Sequence, residues 1–402
     1  MTIFPSTRSR QAALTIVGVM LIAFNLRPAL TSVSPVLPSL ADSLSLSVVG
    51  QSVLTTLPVL FLGLAAPLAP WSARRIGVER AALAAVAILI AALAVRPYVG
   101  IAGLFAGTLV AGACIGVAGV LLPAIVKRDF PRHQSLLTGL YTAALCVGAS
   151  AAAGATEPLR LAFGGHWRSA LAIWAVPALV AAAIWWWRTD REPPTPNRAA
   201  RAAPLHRDRL AWQITGYMGL QSALAYTVFG WLPTMLQDRG LDPVTAGLAL
   251  SASIMIQVST AIGAPWLGSR MRDQRLVLVI VTVMTLIGLA GCLYAPIAGV
   301  WLWVVVLGLG QGGTFSMALT LLALRARDAE TAGRLSGMAQ GVGYTIAALG
   351  PLFVGLLHEA FHGWHVPGLF LGSVGVAALW MAMGAGRPLY VLDGAAADPA
   401  VR

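Results

Sequence analysis

Twelve apolar stretches, separated by short polar breaks, limit what this chain can fold into more than any other feature. They run roughly over residues 12–38, 46–70, 81–95, 99–126, 134–156, 168–187, 210–235, 244–267, 276–294, 299–324, 334–357 and 366–386. A helix of about 20 apolar residues is long enough to cross the hydrocarbon core of a bilayer. Lipid offers no partners to backbone N–H and C=O groups, so such stretches must satisfy their hydrogen bonds within helices. The expected fold class is an all-α integral membrane protein with twelve transmembrane helices. Composition agrees: 58% of residues are hydrophobic and only 10% charged, against about 25% charged in a soluble domain. Arg8 and Arg10 precede the first stretch. No small-residue cleavage site follows, so that stretch is expected to be retained. Cys114, Cys146 and Cys292 all fall inside apolar stretches, which favours buried thiols over a disulfide framework.

A net charge of +12 would suit a nucleic-acid partner, but the distribution of charge argues against one. The even-numbered connections and the two termini hold 22 of the 27 basic residues. The opposite side holds Arg96, Arg160, Arg168 and Arg239, and Arg27 alone falls within a span. This asymmetry is the positive-inside signature, and it puts both termini in the cytoplasm with the lipid bilayer as partner. Residues 188–209, rich in proline and arginine, read as a polar cytoplasmic linker. The expected organisation is an N-terminal six-helix half over 1–187, the linker over 188–209, and a C-terminal six-helix half over 210–402.

The two halves match at a constant offset of 198. Pro35 pairs with Pro233, Pro67 with Pro265, Arg74 with Arg272, Lys127 with Arg325, Leu137 with Leu335 and Gly139 with Gly337. Six matches at equivalent topological positions indicate an internal duplication. Two parallel six-helix bundles related in this way are a transporter architecture, with the solute site near the midplane between them.

Four runs carry a family resemblance: AFNLRPALTSVSPVLPSL at 23–40, VLLPAIVKRDFP at 120–131, FGWLPTMLQDRGLDPVTAGLAL at 229–250 and the glycine-rich run at 308–351 that contains SGMAQGVGY. On these residues the chain resembles the major facilitator superfamily and, within it, the cyanate-permease and nitroimidazole-transporter family. The resemblance covers both halves. It implies a major facilitator fold of two pseudo-symmetric six-helix bundles, a bacterial inner-membrane location, no enzymatic activity and no cofactor. It also implies a monomer that moves a small molecule, either a small anion or a small polar solute of the cyanate or nitroimidazole kind. A proton-driven exporter of drug-like compounds and a non-transporting receptor are the alternatives. The loop at 66–80 departs from the superfamily pattern, with Trp71 near the usual aspartate. Arg74, Arg75 and Arg80 are the expected cytoplasmic gate residues, with Glu79 or Asp129 as substitute acids.

Arg27 is the focus of the site reading. A cation near the middle of a membrane helix costs about 2.5–3.5 kcal/mol on insertion scales, and none of the fifteen acids lies mid-span. Its counterpart at the constant offset is Ala225, so the charge does not belong to the duplicated scaffold. A guanidinium's planar fork suits an anion or a strong hydrogen-bond acceptor. The alternative is that it satisfies a backbone carbonyl, since Pro28 cannot donate to Phe24. Asn25, Tyr141, Gln221, Gln311, Gln340 and Tyr344 complete the candidate substrate-binding set, with Tyr226, Gln257 and Thr142 as further intramembrane polar residues. Gln340 and Tyr344 are four apart and share a helix face. Asn25 lies about 200° round the helix from Arg27, so the two line one cavity only if Pro28 distorts the turn. Proton coupling would need a titrating group in the pathway, and Glu157, His358 and Glu359 are the candidates. The segment HEAFHGWH at 358–365 has helical His spacing, but its place at a span end and Gly363 argue against a metal. No metal site is expected.

Overall fold

The computed structural model describes residues 7–130, 133–187 and 205–392. Most of the expected linker, 188–204, lies outside these residues, as does the C-terminal tail from 393. All regular structure among the described residues is helical. In chain order the helices are α1 (Thr7–Leu26), α2 (Pro28–Thr31), α3 (Leu37–Leu44), α4 (Val48–Leu64), α5 (Leu68–Ile76), α6 (Val78–Val95), α7 (Gly100–Asp129), α8 (Gln134–Ala162), α9 (Trp167–Ala172) and α10 (Ala175–Trp186). They continue with α11 (Arg209–Asp238), α12 (Pro243–Ser269), α13 (Arg275–Tyr294), α14 (Val300–Leu324), α15 (Ala329–Ala347), α16 (Leu349–Phe361) and α17 (His365–Ala385).

Ten helices or helix runs among the described residues are long and apolar enough to cross a membrane. The pair α4 and α5 makes an eleventh, bent by 56° where Ala65, Ala66 and Pro67 interrupt it. The remaining expected span is α11. At 30 residues it is about 45 Å long, but Gln221, Ser222, Thr227 and Thr234 lower its hydropathy. It can carry them because most of its length from Tyr217 to Leu236 is buried among other helices and away from lipid.

Several expected spans are broken helices rather than single ones. The first splits at Arg27, then passes through a 3-10 turn at Ser34–Val36 before α3. Both breaks coincide with a proline, Pro28 and Pro35, each of which removes a backbone donor. The eleventh breaks at Ala348, between α15 and α16 and three residues before Pro351. Aspartates start three of the long helices: Asp208, Asp242 and Asp328 each accept the backbone N–H of the residue three along. Such N-caps typically stabilise a helix by about 1 kcal/mol.

Packing follows the sequence halves. Among the early helices, α1 lies against α8 and α10, while α7 lies against α4 and α6. Among the later ones, α11 lies against α15 and α17, and α14 against α12 and α13. Contacts across the two groups run along α8 with α12, and along α4 with α15 and α16. Glycine permits the closest approaches: a Cβ on Gly112 would lie 2.4 Å from the Pro58 carbonyl oxygen, and one on Gly312 would lie 2.2 Å from that of Gln257. These two spacings dock α7 on α4 and α14 on α12.

Candidate functional site

The break between α1 and α2 falls on Arg27. Its carbonyl accepts from the N–H groups of Leu30 and Thr31, at 2.9 and 3.1 Å, which starts the short helix α2. The Thr31 hydroxyl donates to the Ala149 carbonyl on α8 at 3.0 Å. Pro28 leaves the Phe24 carbonyl without its helical donor, and Gly148 packs directly on that oxygen. A Cβ on Gly148 would sit only 1.9 Å from it, so α8 approaches the first span closely at this point. The Arg27 side chain makes no hydrogen bond to this carbonyl.

The guanidinium points instead across the molecule, towards the second half. Its central carbon lies 5.6 Å from the ring centre of Tyr226, 5.8 Å from Phe229 and 5.9 Å from Phe315. Tyr226 and Phe229 belong to α11, and Phe315 to α14. Each contact of this kind is worth about 0.5–2 kcal/mol, more as water is excluded. Among the described residues the guanidinium has no carboxylate in ion-pair range and no hydrogen bond. Three ring faces soften the cost of burying it, and its N–H groups remain available to a solute.

Arg27 lines a cavity with Thr142, Cys146, Ser222, Ala225, Tyr226, Phe229, Gln257, Gln311 and Phe315 among its walls. Ala225, the counterpart of Arg27 at the constant offset, faces the same space. Gln257 donates to the Gln311 side-chain oxygen at 3.2 Å, which leaves the Gln311 amide nitrogen buried and without a partner. The close docking of Gly312 on α12 is what brings these two amides together. The wall opposite the cation is thus part amide and part aromatic.

The other expected site residues divide into three groups. Gln311 lines the cavity. Tyr344 and Tyr141 stand close enough to couple electrostatically to Arg27, and Tyr344 packs edge-on against Tyr226 with ring centres 6.0 Å apart. Neither tyrosine reaches the cavity wall. Gln221 is buried and spends its amide on the Met218 carbonyl and the Ser222 hydroxyl, at 3.2 and 2.7 Å. Gln340 donates to Ser336 one turn away at 2.7 Å. Asn25 is the clearest departure from expectation. It is buried facing α10, with its amide donating to the Leu21 and Pro177 carbonyls at 2.7 and 3.1 Å. The break at Pro28 comes after both residues and does not turn Asn25 towards Arg27.

Of the aromatic wall, Tyr226 was named from sequence, but Phe229 and Phe315 were not. Two spacings pointed to it: Phe229 follows Ala225 by four, and Phe315 follows Gln311 by four, so each pair shares a helix face. Arg96 departs from its expected place in an outer loop. It is 1% exposed, folded back against α2 and α7.

A family model described as Major Facilitator Superfamily matches residues 17–351. The chain belongs to the major facilitator superfamily. It is 36% identical to the 2-nitroimidazole transporter of Escherichia coli (strain K12) over 394 residues, covering 95% of this chain and 97% of the relative. It is 32% identical to the cyanate transport protein CynX of the same organism over 364 residues, covering 88% and 94%. The crystal structure of a D-xylose–proton symporter has the same fold, with a TM-score of 0.71 at 14% identity over 97% of this chain and 99% of the other. This superfamily member is a multi-pass membrane transporter of small solutes.

At the gate expected for the superfamily, Glu79 and Asp129 both hold Arg128, joining α6 to α7 within one half. Arg75 stacks over the unusual Trp71 at 4.4 Å, and Arg74 is exposed near it. Lys127, next to Arg128, matches Arg325 in the other half. Arg325 is buried and donates to the Ala385 and Gly386 carbonyls at 3.1 and 3.0 Å and to the Gln274 side chain. Burial pulls its pKa down from the usual arginine value.

The coupling candidates lie away from the Arg27 cavity. Glu157 is buried and forms a two-pronged ion pair with Arg160, at 2.8 and 2.7 Å. His358 stacks on Trp364, ring centres 4.1 Å apart, with Asp238 at 3.9 Å. Asp238 also accepts from the Trp364 indole at 3.0 Å. Glu359 is half-buried beside this cluster in sequence. His362 caps α16 in the left-handed conformation, and His365 stacks on Tyr294. The three histidines therefore face different partners, and no group of three metal-binding side chains forms among the described residues.

Proposed function

We propose that this transporter moves a small, planar or linear, π-conjugated solute past Arg27 by alternating access. The solute is an anion, or carries a strong acceptor group. The observation that carries this reading is the Arg27 guanidinium, which faces three aromatic rings across a cavity and has no fixed counter-ion among the described residues. A conjugated solute can accept from the guanidinium while lying flat against Tyr226, Phe229 or Phe315. The Gln311 amide, with its unmet donor, supplies a second polar contact. The relatives named for cyanate and 2-nitroimidazole transport fit this description, because both molecules are small, conjugated and rich in acceptors. A cationic drug fits poorly, since the same guanidinium repels it and the cavity walls carry no acid.

In this reading the first and second groups of helices are the two moving halves, joined by the segment at 188–209. Both termini are cytoplasmic in a bacterial inner membrane, as the arginine distribution favours. Coupling to protons through the cavity itself has no support from its walls. His358 with Asp238, at the outer ends of α16 and α11, is the better candidate for a pH effect.

Reconstituted vesicles test the proposal. Wild-type protein should give saturable uptake or exchange of cyanate or 2-nitroimidazole, and Arg27→Ala should abolish it while expressing and purifying normally. Unchanged flux in Arg27→Ala would sink the assignment of the site.

A further inference from the structure

We propose a second anion-binding station on the outer side of the Arg27 cavity, built on Arg96 and Thr108 and selective for planar anions with two acceptor atoms. The proposal extends the function given above and rests on it. Arg96 follows the last turn of α6 and is 1% exposed. Its Nη1 donates to the Ala29 carbonyl and to the Thr108 hydroxyl, both at 3.3 Å. Its Nε and Nη2 are buried and have no hydrogen-bond partner. No acid lies within ion-pair range of it among the described residues.

The chemistry of the unmet pair defines the ligand. Nε and Nη2 share one edge of the guanidinium, and their N–H bonds run parallel. That edge holds two oxygens of one planar group. The molecule shows the same use elsewhere: Arg160 grips the Glu157 carboxylate through its Nε and Nη2, at 2.8 and 2.7 Å. Arg96 presents the identical fork with nothing from the protein to fill it. Leaving two donors of a buried cation unmet is costly, so a bound anion gives the arrangement its purpose.

Position ties this fork to the transport path. Ala29 and Thr108, the two residues Arg96 holds, also line a second, small space with Thr55, Leu30, Tyr226 and Phe229. Tyr226 and Phe229 are shared with the Arg27 cavity. The same two rings therefore line both the Arg27 cavity and the space beside the two residues that Arg96 holds. Room for Arg96 is deliberate: a Cβ on Gly107 would lie 2.4 Å from the Arg96 Cβ. Arg96, at the end of α6, holds the Ala29 carbonyl two residues beyond Arg27 on the first span, so a solute leaving Arg27 passes a second cation.

Nitrate, a planar anion with three oxygens, is the probe. Thermal unfolding of purified full-length protein is followed against nitrate at constant ionic strength, balanced with gluconate. Under saturating conditions stabilisation grows with the logarithm of ligand concentration, and the slope counts the sites. Wild type should show twice the slope of Arg27→Gln or Arg96→Gln, and the double variant should be flat. Arg96→Lys, which keeps the charge and loses the fork, should keep the fold with nitrate affinity at that station reduced about tenfold. If Arg96→Gln does not fold, Thr108→Val in the Arg27→Gln background should weaken the remaining site. A wild-type slope of one site that Arg27→Gln removes overturns the second station and leaves the Arg27 reading intact. A single site removed by Arg96→Gln but not by Arg27→Gln overturns the Arg27 reading instead.

Discussion

Arg27 and Ala225 occupy matched positions in the two halves and face one cavity, so a single side chain breaks the symmetry of the binding space. The backbone breaks with it: the first span stops at Arg27–Pro28, while α11 runs on unbroken past Ala225. A lysine at position 27 would keep the charge but lose both the planar fork and its stacking on the rings. Arg27→Lys is expected to weaken solute binding at least about tenfold, or about 1.4 kcal/mol, with little change in thermal stability. Equilibrium binding beside a melting curve decides it, and wild-type affinity in the lysine variant would refute the role of the fork. Cys146 offers an independent reporter. It lines the cavity, whereas Cys114 and Cys292 are buried elsewhere. A small negatively charged methanethiosulfonate should label Cys146 alone, and a transported solute should slow the labelling. Labelling that the solute leaves unchanged would place the solute elsewhere. Arg27 was legible in the sequence because a charge inside an apolar run has no cheap explanation. Its partners Phe229 and Phe315 were not, because a phenylalanine in a membrane span reads the same whether it packs in the core or faces a cation. Arg96 was misread for a related reason. It ends a span, and sequence does not tell whether a long side chain there reaches out to water or folds back.

The helices themselves were largely legible, and their breaks less so. Apolar length set each span to within a few residues, but proline decides where a span bends only together with what receives the freed carbonyl. At Pro28 the freed carbonyl is packed by Gly148 on α8, seven helices along the chain and invisible to local pattern. That contact makes a sharp prediction. Gly148→Ala would drive a methyl group to within 1.9 Å of the Phe24 carbonyl oxygen, backbone that cannot swing away. Overpacking of this kind costs about 1–3 kcal/mol, and it should also shift Arg27 and weaken solute binding. Gly139 lies on the same helix with no neighbouring atom within 4 Å. Gly139→Ala should be neutral or stabilising by up to about 1 kcal/mol, because alanine favours the helix. Melting temperatures of the two variants, measured side by side, provide the check. Equal effects would mean that the docking of α8 on the first span is looser than these contacts imply.

Across the whole molecule, the two halves touch unevenly from one end to the other. At the end holding Glu157 and Asp238, small residues interlock. The Ser150 hydroxyl donates to the Ser251 carbonyl at 3.0 Å and lies 2.8 Å from its hydroxyl. Gly247 packs on the Ala153 carbonyl, and Gly355 packs on Ser52. Towards the other end, a Cβ on either of the duplicated pair Gly139 and Gly337 would meet no atom of another element within 4 Å. Towards that end the halves still meet where Gly63 on α4 packs on the Gly341 carbonyl of α15, whereas the Ser150–Ser251 contact closes the end that the arginine distribution puts outside. Transport then demands that the Ser150–Ser251 contact part once in each cycle. Ser150→Cys with Ser251→Cys, in a background where the three native cysteines are alanine, brings two thiols within bonding reach across the halves. Oxidation should stop flux while leaving nitrate binding at Arg27 intact, and a reductant should restore flux. The single-cysteine variants should respond to neither treatment. If the oxidised, cross-linked protein still transports, α8 and α12 stay together throughout the cycle. The moving boundary would then lie along α4, α15 and α16 instead.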